Sequence, residues 1–101
     1  MSENIELDEY RELLTRWTRE WGIPDLADSI ECQWSSRFRK TLGRAYVERR
    51  LIRLHMRLRD SREGSLLREV LCHEAAHIAA FHLFGAAAAG HSQQWRELVE
   101  T

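Results

Sequence analysis

Residues 65–84 read SLLREVLCHEAAHIAAFHLF, and the five in the middle, His73-Glu74-Ala75-Ala76-His77, decide what the rest of the chain must be. Around them lie Leu66, Leu67, Val70, Leu71, Ala75, Ile78, Ala79 and Phe81, an apolar helical pattern that predicts one long helix over Ser65–Phe84, stopped by Gly85. Residues four apart on a helix stand one above the other on one face, so the imidazoles of His73 and His77 can converge on one ion at Zn–N of about 2.0–2.1 Å. A histidine pair and a glutamate set in a buried helix carry a desolvation cost, and a metal ion is the simplest partner that offsets it. Zn2+ is therefore the expected cofactor. Glu74, beside the pair and not a ligand, is the expected general base: the ion lowers the pKa of a bound water toward about 7, and the carboxylate takes its proton and passes it to a leaving amine. The competing reading is a core helix that carries histidines without metal.

A third ligand is sought downstream. His91 lies fourteen residues after His77, past the loop 85–90, and Ser92 is placed to cap a short final helix running to about Val99. His91 is preferred. The competitor is Glu97, twenty residues after His77 on that final helix, which would have to turn inward while Trp95 and Val99 claim the same interior. The pattern with a third histidine six residues on is absent, since position 83 is Leu83.

Upstream, Leu7, Tyr10, Leu14, Trp17 and Trp21 recur at steps of three and four, one apolar face of an N-terminal helix that Gly22 and Pro24 end. Ile30, Cys32 and Trp34 alternate with polar residues, as do Ile52, Leu54, Met56 and Leu58 with Arg53, His55, Arg57 and Arg59; period two predicts two half-buried strands, each with one core face, the second having a basic outer face. Arg44–Arg50 is expected to pair back on the first. The predicted fold is α+β and zincin-like: an N-terminal helix, a small three-stranded antiparallel sheet, the long helix with its histidines and a short C-terminal helix. A cleft beside the sheet edge would accept an extended or unfolded protein as one more strand, with main-chain pairing giving affinity and little side-chain choice.

Composition narrows the class further. At 101 residues the chain is read as a single domain, 1–101, with one modest core. Hydrophobic residues make up 44% and charged residues 31%, and no stretch approaches the ~20 apolar residues of a membrane span, so no membrane role is expected. The acidic N-terminus lacks the features of a secretory signal, which predicts an intracellular, cytoplasmic location. Cys32 and Cys72 are too few for a disulfide framework and lack the spacing of a zinc ribbon; Cys72 points about 100° from His73 and is read as a buried thiol. The net charge of −1 hides a segregation. Residues 1–31 carry −6, residues 32–62 carry +8 from ten basic and two acidic residues, and residues 63–101 carry −3. The basic middle, Arg37 to Arg62, is either a solvated face or the footprint of an anionic partner, for which DNA is the first candidate. His82 is read as helix surface, the four tryptophans as core anchors, and Tyr46 and His55 as the candidates for stabilising an oxyanion.

The combination of His73-Glu74-Ala75-Ala76-His77 with Phe84-Gly85, Gly90-His91-Ser92 and Trp95, together with Trp34-Ser35 and Leu42-Gly43 upstream, resembles the SprT-like zinc metallopeptidase domain of the SprT/Spartan family over nearly the whole chain. The resemblance implies His73, His77 and His91 as zinc ligands, Glu74 as catalytic residue, and degradation of proteins crosslinked to DNA, with DNA contact activating the enzyme and a nucleoid or nuclear location following from it. Two departures stand out. Gly90-His91-Ser92 occupies the place where the family often has Gly-His-Gly, and no cysteine zinc ribbon lies within these residues. The remaining readings are a small peptidase without a DNA role and a metal-stabilised binding module that does not cut.

Overall fold

A computed structural model describes residues 3–4, 8–58, 64–88 and 90–100. The chain is α+β. In order it forms β1 (Glu3–Asn4), α1 (Asp8–Glu20), a 3-10 turn at Pro24–Ser29, β2 (Glu31–Ser35), β3 (Gly43–Tyr46) and β4 (Leu51–His55). A 3-10 turn at Met56–Leu58 leads to α2 (Gly64–Phe84), another at Gly85–Ala88 follows it, and α3 (Gln93–Glu100) closes the order.

The long helix carries the core. Leu67, Leu71, Ala75, Ala76, Ile78, Ala79 and Ala80 are all buried, more of its circumference than one stripe, because α2 packs on β3, β4, α1 and α3 together. Four alanines in that set keep the helix thin where its neighbours close in. From α1, Leu14 is fully buried and Trp21 nearly so, while Tyr10 and Trp17 pack at the margin; Leu7 lies outside the described residues. Thr18, buried on the same helix, returns its hydroxyl to the Leu14 carbonyl at 2.8 Å, so no polar atom is stranded there. The Trp21 indole N–H donates to the Leu98 carbonyl at 2.8 Å and ties the end of α1 to α3.

The sheet corrects the expectation of three antiparallel strands. Its order is β1-β2-β4-β3, with β2 and β4 parallel in the centre and β1 and β3 antiparallel at the two edges. Arg44–Arg50 does not pair back on β2: Gly43–Tyr46 pairs with β4, and residues 47–50 make the tight turn between them, with Arg50 in the left-handed region at φ 51°. The physical reason is burial. Cys32 and Trp34 on β2 and Ile52 and Leu54 on β4 are the residues with most apolar area to hide, so those strands take the middle, and β3, with only Gly43 and Ala45 facing inward, takes an edge. β4 also stops at His55. Met56–Leu58 turns as a 3-10 helix, so Arg57 leaves the strand face and is exposed; Arg59 and Arg62 lie outside the described residues.

Gly43 decides how close β3 comes to α2. A Cβ there would stand 2.7 Å from Val70 Cγ1 and 3.3 Å from both Glu74 Cγ and Leu54 Cδ2, so the strand passes the helix at a distance that only glycine allows.

Candidate metal centre and cleft

One turn of α2 and the segment after it bring the three predicted histidines together. His73 and His77 share a helix face, and their Nε2 atoms lie 3.3 Å apart; His91 Nε2 lies 3.1 Å from His73 Nε2. One ligand atom from each of the three falls within 4.8 Å of the other two. Two nitrogens that share a tetrahedral ion at about 2.0–2.1 Å are separated by about 3.3–3.4 Å, so the observed spacing suits one small ion that prefers nitrogen ligands. Burial and the neighbouring imidazoles also disfavour protonation: desolvation first, then His91, lowers the pKa of His73, and desolvation, then His73 and His91, pushes His77 down to about 4. These two rings are thus kept neutral, with lone pairs available.

The chain reaches His91 through Gly90, which adopts φ 71°, a conformation that L side chains rarely take. The same residue gives its carbonyl to the His77 ring, so one turn both delivers His91 and fixes the orientation of His77. Ser92 then caps α3: its hydroxyl accepts from the Trp95 backbone N–H at 3.2 Å and donates to the Ala88 carbonyl at 3.2 Å. Trp95, expected as a core anchor, is half-buried and packs against the core, and it also lies on the imidazoles. Its ring lies nearly parallel to His77, 5.0 Å between centroids and 14° between planes, and within 4.5–4.6 Å of His91 and His73; its indole N–H donates to the His73 carbonyl at 3.1 Å. Its position four residues after His91 is the sequence signal for the imidazole contact, which an apolar pattern alone does not convey.

Glu97, the alternative third ligand, is exposed and pairs with Gln93 at 3.3 Å, apart from the histidine group. Glu74 is 8% exposed, beside the cluster and not among its donors. Desolvation pushes its carboxyl up to about 7, while the Ala45 backbone N–H, donating to the carboxylate, works in the other direction. A cation among the histidines would lower it again.

Glu74 opens on a cleft of about 600 Å³ bounded by β3, α2 and, after α2, Ala86, Ala88, Gly90 and His91. A smaller recess of about 440 Å³ continues past Gly43 toward Lys40 and Glu69. Between them lies β3, an edge strand of the sheet among the described residues. Leu42 accepts a hydrogen bond from the His55 N–H at 2.8 Å, so residues 42, 44 and 46 turn their peptide groups to β4, and Gly43 and Ala45 turn theirs away from it. Tyr46 and His55, the oxyanion candidates, line neither recess; both sit on the outer sheet face, where the His55 ring accepts the Arg57 backbone N–H at 3.0 Å.

That outer face gathers charge. Arg44 and Arg53 are direct cross-strand partners, and Arg44, Arg49 and Arg53 all approach the Tyr46 ring, at 5.3, 5.7 and 5.3 Å from its centroid. Arg53 also donates to Gln33 at 3.4 Å. Like charges directly opposite one another repel, so this cluster is maintained at some cost to the sheet. His82 stands apart, exposed near the end of α2 and 3.2 Å from Arg50. Cys32 is buried, its thiol pushed up to about 11 by desolvation, and Cys72 is half-buried with a raised pKa from the same cause. Among the described residues no helix is long and apolar enough to cross a membrane.

Comparison with known proteins places these features in a family. The SprT-like family profile matches residues 10–101. Protein SprT of Pseudomonas putida strain GB-1 is 32% identical over 90 residues, which cover 89% of this chain and 51% of that protein, and Protein SprT of strain W619 matches to the same extent. Protein SprT of Pseudomonas entomophila strain L48 is 32% identical over 57 residues, 56% of this chain and 35% of that protein. The chain spans about half the length of the first two of these curated relatives. No solved structure matches it.

Proposed function

The chain belongs to the SprT-like family, and on that premise we propose that it is a zinc-dependent endopeptidase of zincin-like build, in which His73, His77 and His91 hold the ion and Glu74 is the general base. The observation that carries this reading is the convergence of three imidazoles beside one buried carboxylate, in a cleft along an open strand edge. When bound, zinc supplies Lewis acidity, lowering the pKa of water toward about 7 and polarising a carbonyl oxygen. The residues of the chain do the rest. Glu74 takes a proton from the attacking water and returns it to the departing amine, and the Ala45 N–H holds the carboxylate in line for both transfers. Gly43 lets β3 approach closely enough for that hydrogen bond. The outward Gly43 N–H and carbonyl and the Ala45 carbonyl, with the Ala45 N–H kept by Glu74, offer an extended substrate main-chain pairing, which orients the scissile bond over Glu74 and favours unfolded segments.

Metal analysis and proteolysis of an unfolded protein such as denatured casein test this together. One zinc per chain with chelator-sensitive cleavage is expected; absence of bound metal from protein purified and reloaded with zinc would sink the reading.

A second reading concerns the partner and rests on the Arg44, Arg49, Arg53 and Tyr46 cluster. Guanidinium groups around an aromatic ring suit phosphates and stacked bases, so DNA contact is proposed for the outer sheet face, with cleavage directed at DNA-bound or crosslinked proteins. Arg57, which alternation put on the same face as Arg53, lies in the 3-10 turn after β4, so Arg44 and Arg53 are the pair proposed to meet phosphate. Single-stranded DNA binding across a salt series checks it: losing both arginines should flatten the slope of log K against log salt, and unchanged binding in that variant would remove the outer face from the interface.

A further inference from the structure

The cleft is unequal on its two sides of Glu74. Toward the C-terminal end of α2 its wall is Val47, Phe81, Ala86 and Ala88, with Arg44 and Glu48 exposed at the rim. Toward the N-terminal end the smaller recess is lined by Lys40, Leu42, Glu69 and Val70. Phe81 follows His77 by four residues, so it stands on the same face of α2 about one turn, roughly 5.4 Å, further along. Val47, from the turn after β3, and Ala88, from the turn after α2, line the same recess. Such a wall gains by taking hydrocarbon out of water and penalises a charged group that finds no partner there.

We propose that this recess is a specificity pocket for a bulky apolar side chain, of the leucine, methionine or phenylalanine class, carried by an extended polypeptide next to the bond over Glu74. The stronger selection acts on one side of that bond. On the other side only Leu42 and Val70 are apolar, and the exposed Lys40 and Glu69 flank them with opposite charges, so that smaller recess makes the weaker apolar choice. The assignment of a scissile bond rests on the peptidase reading; the pocket as a binding site rests on its own wall.

The test uses zinc-loaded protein carrying Glu74→Gln, which binds without cutting, and synthetic peptides that differ only at one position, Leu, Phe, Ala, Asp or Lys. Leu and Phe peptides are expected to bind about tenfold or more tightly than Ala or Asp peptides, with amide shifts at Val47, Phe81 and Ala88. Val47→Glu should turn the preference toward the Lys peptide, and Val47→Leu, which fills the recess without adding charge, should weaken Phe more than Ala. Cleavage sites mapped in denatured casein with the wild-type protein should show stronger apolar enrichment on one side than on the other. Equal affinity for Leu and Asp peptides, or a preference that neither Val47 variant moves, overturns the pocket. Selective binding by a protein whose wild-type form cuts nothing upholds the pocket and overturns the peptidase reading.

Discussion

The two faces of the β3–β4 pair carry opposite chemistry on the same short stretch of backbone. Inward, Gly43 and Ala45 pair with Leu54 and Ile52 and press against α2, where Gly43 meets Val70 and Glu74 and the Ala45 N–H reaches the carboxylate. Outward, Arg44 and Arg53 oppose each other beside Tyr46. The period of two lets one short strand serve a buried site and an exposed surface without either side chain set interfering with the other. Substitutions on the two faces should therefore separate cleanly: inner ones change stability and catalysis, outer ones change affinity for a polyanion.

The strongest test removes the group that the inner face positions. Glu74→Gln should lower the rate of peptide cleavage by about 10²- to 10⁴-fold while zinc stoichiometry and DNA affinity stay as they are; unchanged cleavage in a steady-state assay would show that the inner face positions something else. Stripping the metal comes next. With the ion at about 1,000 times its Kd, binding contributes about 4 kcal/mol, so chelation should lower Tm by at least about 15 °C, measured by calorimetry, with the outer face still binding DNA below that transition. Loss of DNA affinity on chelation at a temperature where the apo chain remains folded would break the separation.

Neighbouring positions then sharpen it. Gly43→Ala forces a methyl into the 2.7 Å gap to Val70, a stiff β-branched side chain, and should destabilise by about 1–3 kcal/mol in urea titration, with reduced cleavage as β3 moves off Glu74. Arg44→Ala, one residue on, should change stability by no more than about 0.5 kcal/mol in either direction, while the salt slope of DNA binding falls by about one unit for each phosphate no longer neutralised. A large stability loss at Arg44 would mean that the outer cluster supports the fold.

The helix and its histidines were legible because their signals are local. Spacing of four residues fixes His73 and His77 on one face whatever surrounds them, Gly85 marks the end of α2, and Ser92 announces the start of α3. The sheet was legible only in part. Alternation found the inward faces of β2 and β4 but not their parallel pairing, because alternation names a strand's two sides and says nothing about its neighbour. Trp95 was legible in part for a similar reason: its apolar ring packs against the core as its place on an amphipathic helix suggests, but nothing local reveals that it also meets a set of imidazoles.

What the sequence determined by itself is therefore the chemistry available: three histidines and a glutamate at spacings that a helix and a glycine-hinged return can bring together, an α+β chain, and a basic middle. Tertiary structure decided where that chemistry meets the outside. It put β3 at the sheet edge, set Glu74 under the Ala45 N–H, left Glu97 away from the histidines, and moved Tyr46 and His55 to the far face. Those outcomes depend on which strands have most apolar surface to bury and on how near a glycine lets two backbones come, quantities that belong to the packed molecule and to no segment of it.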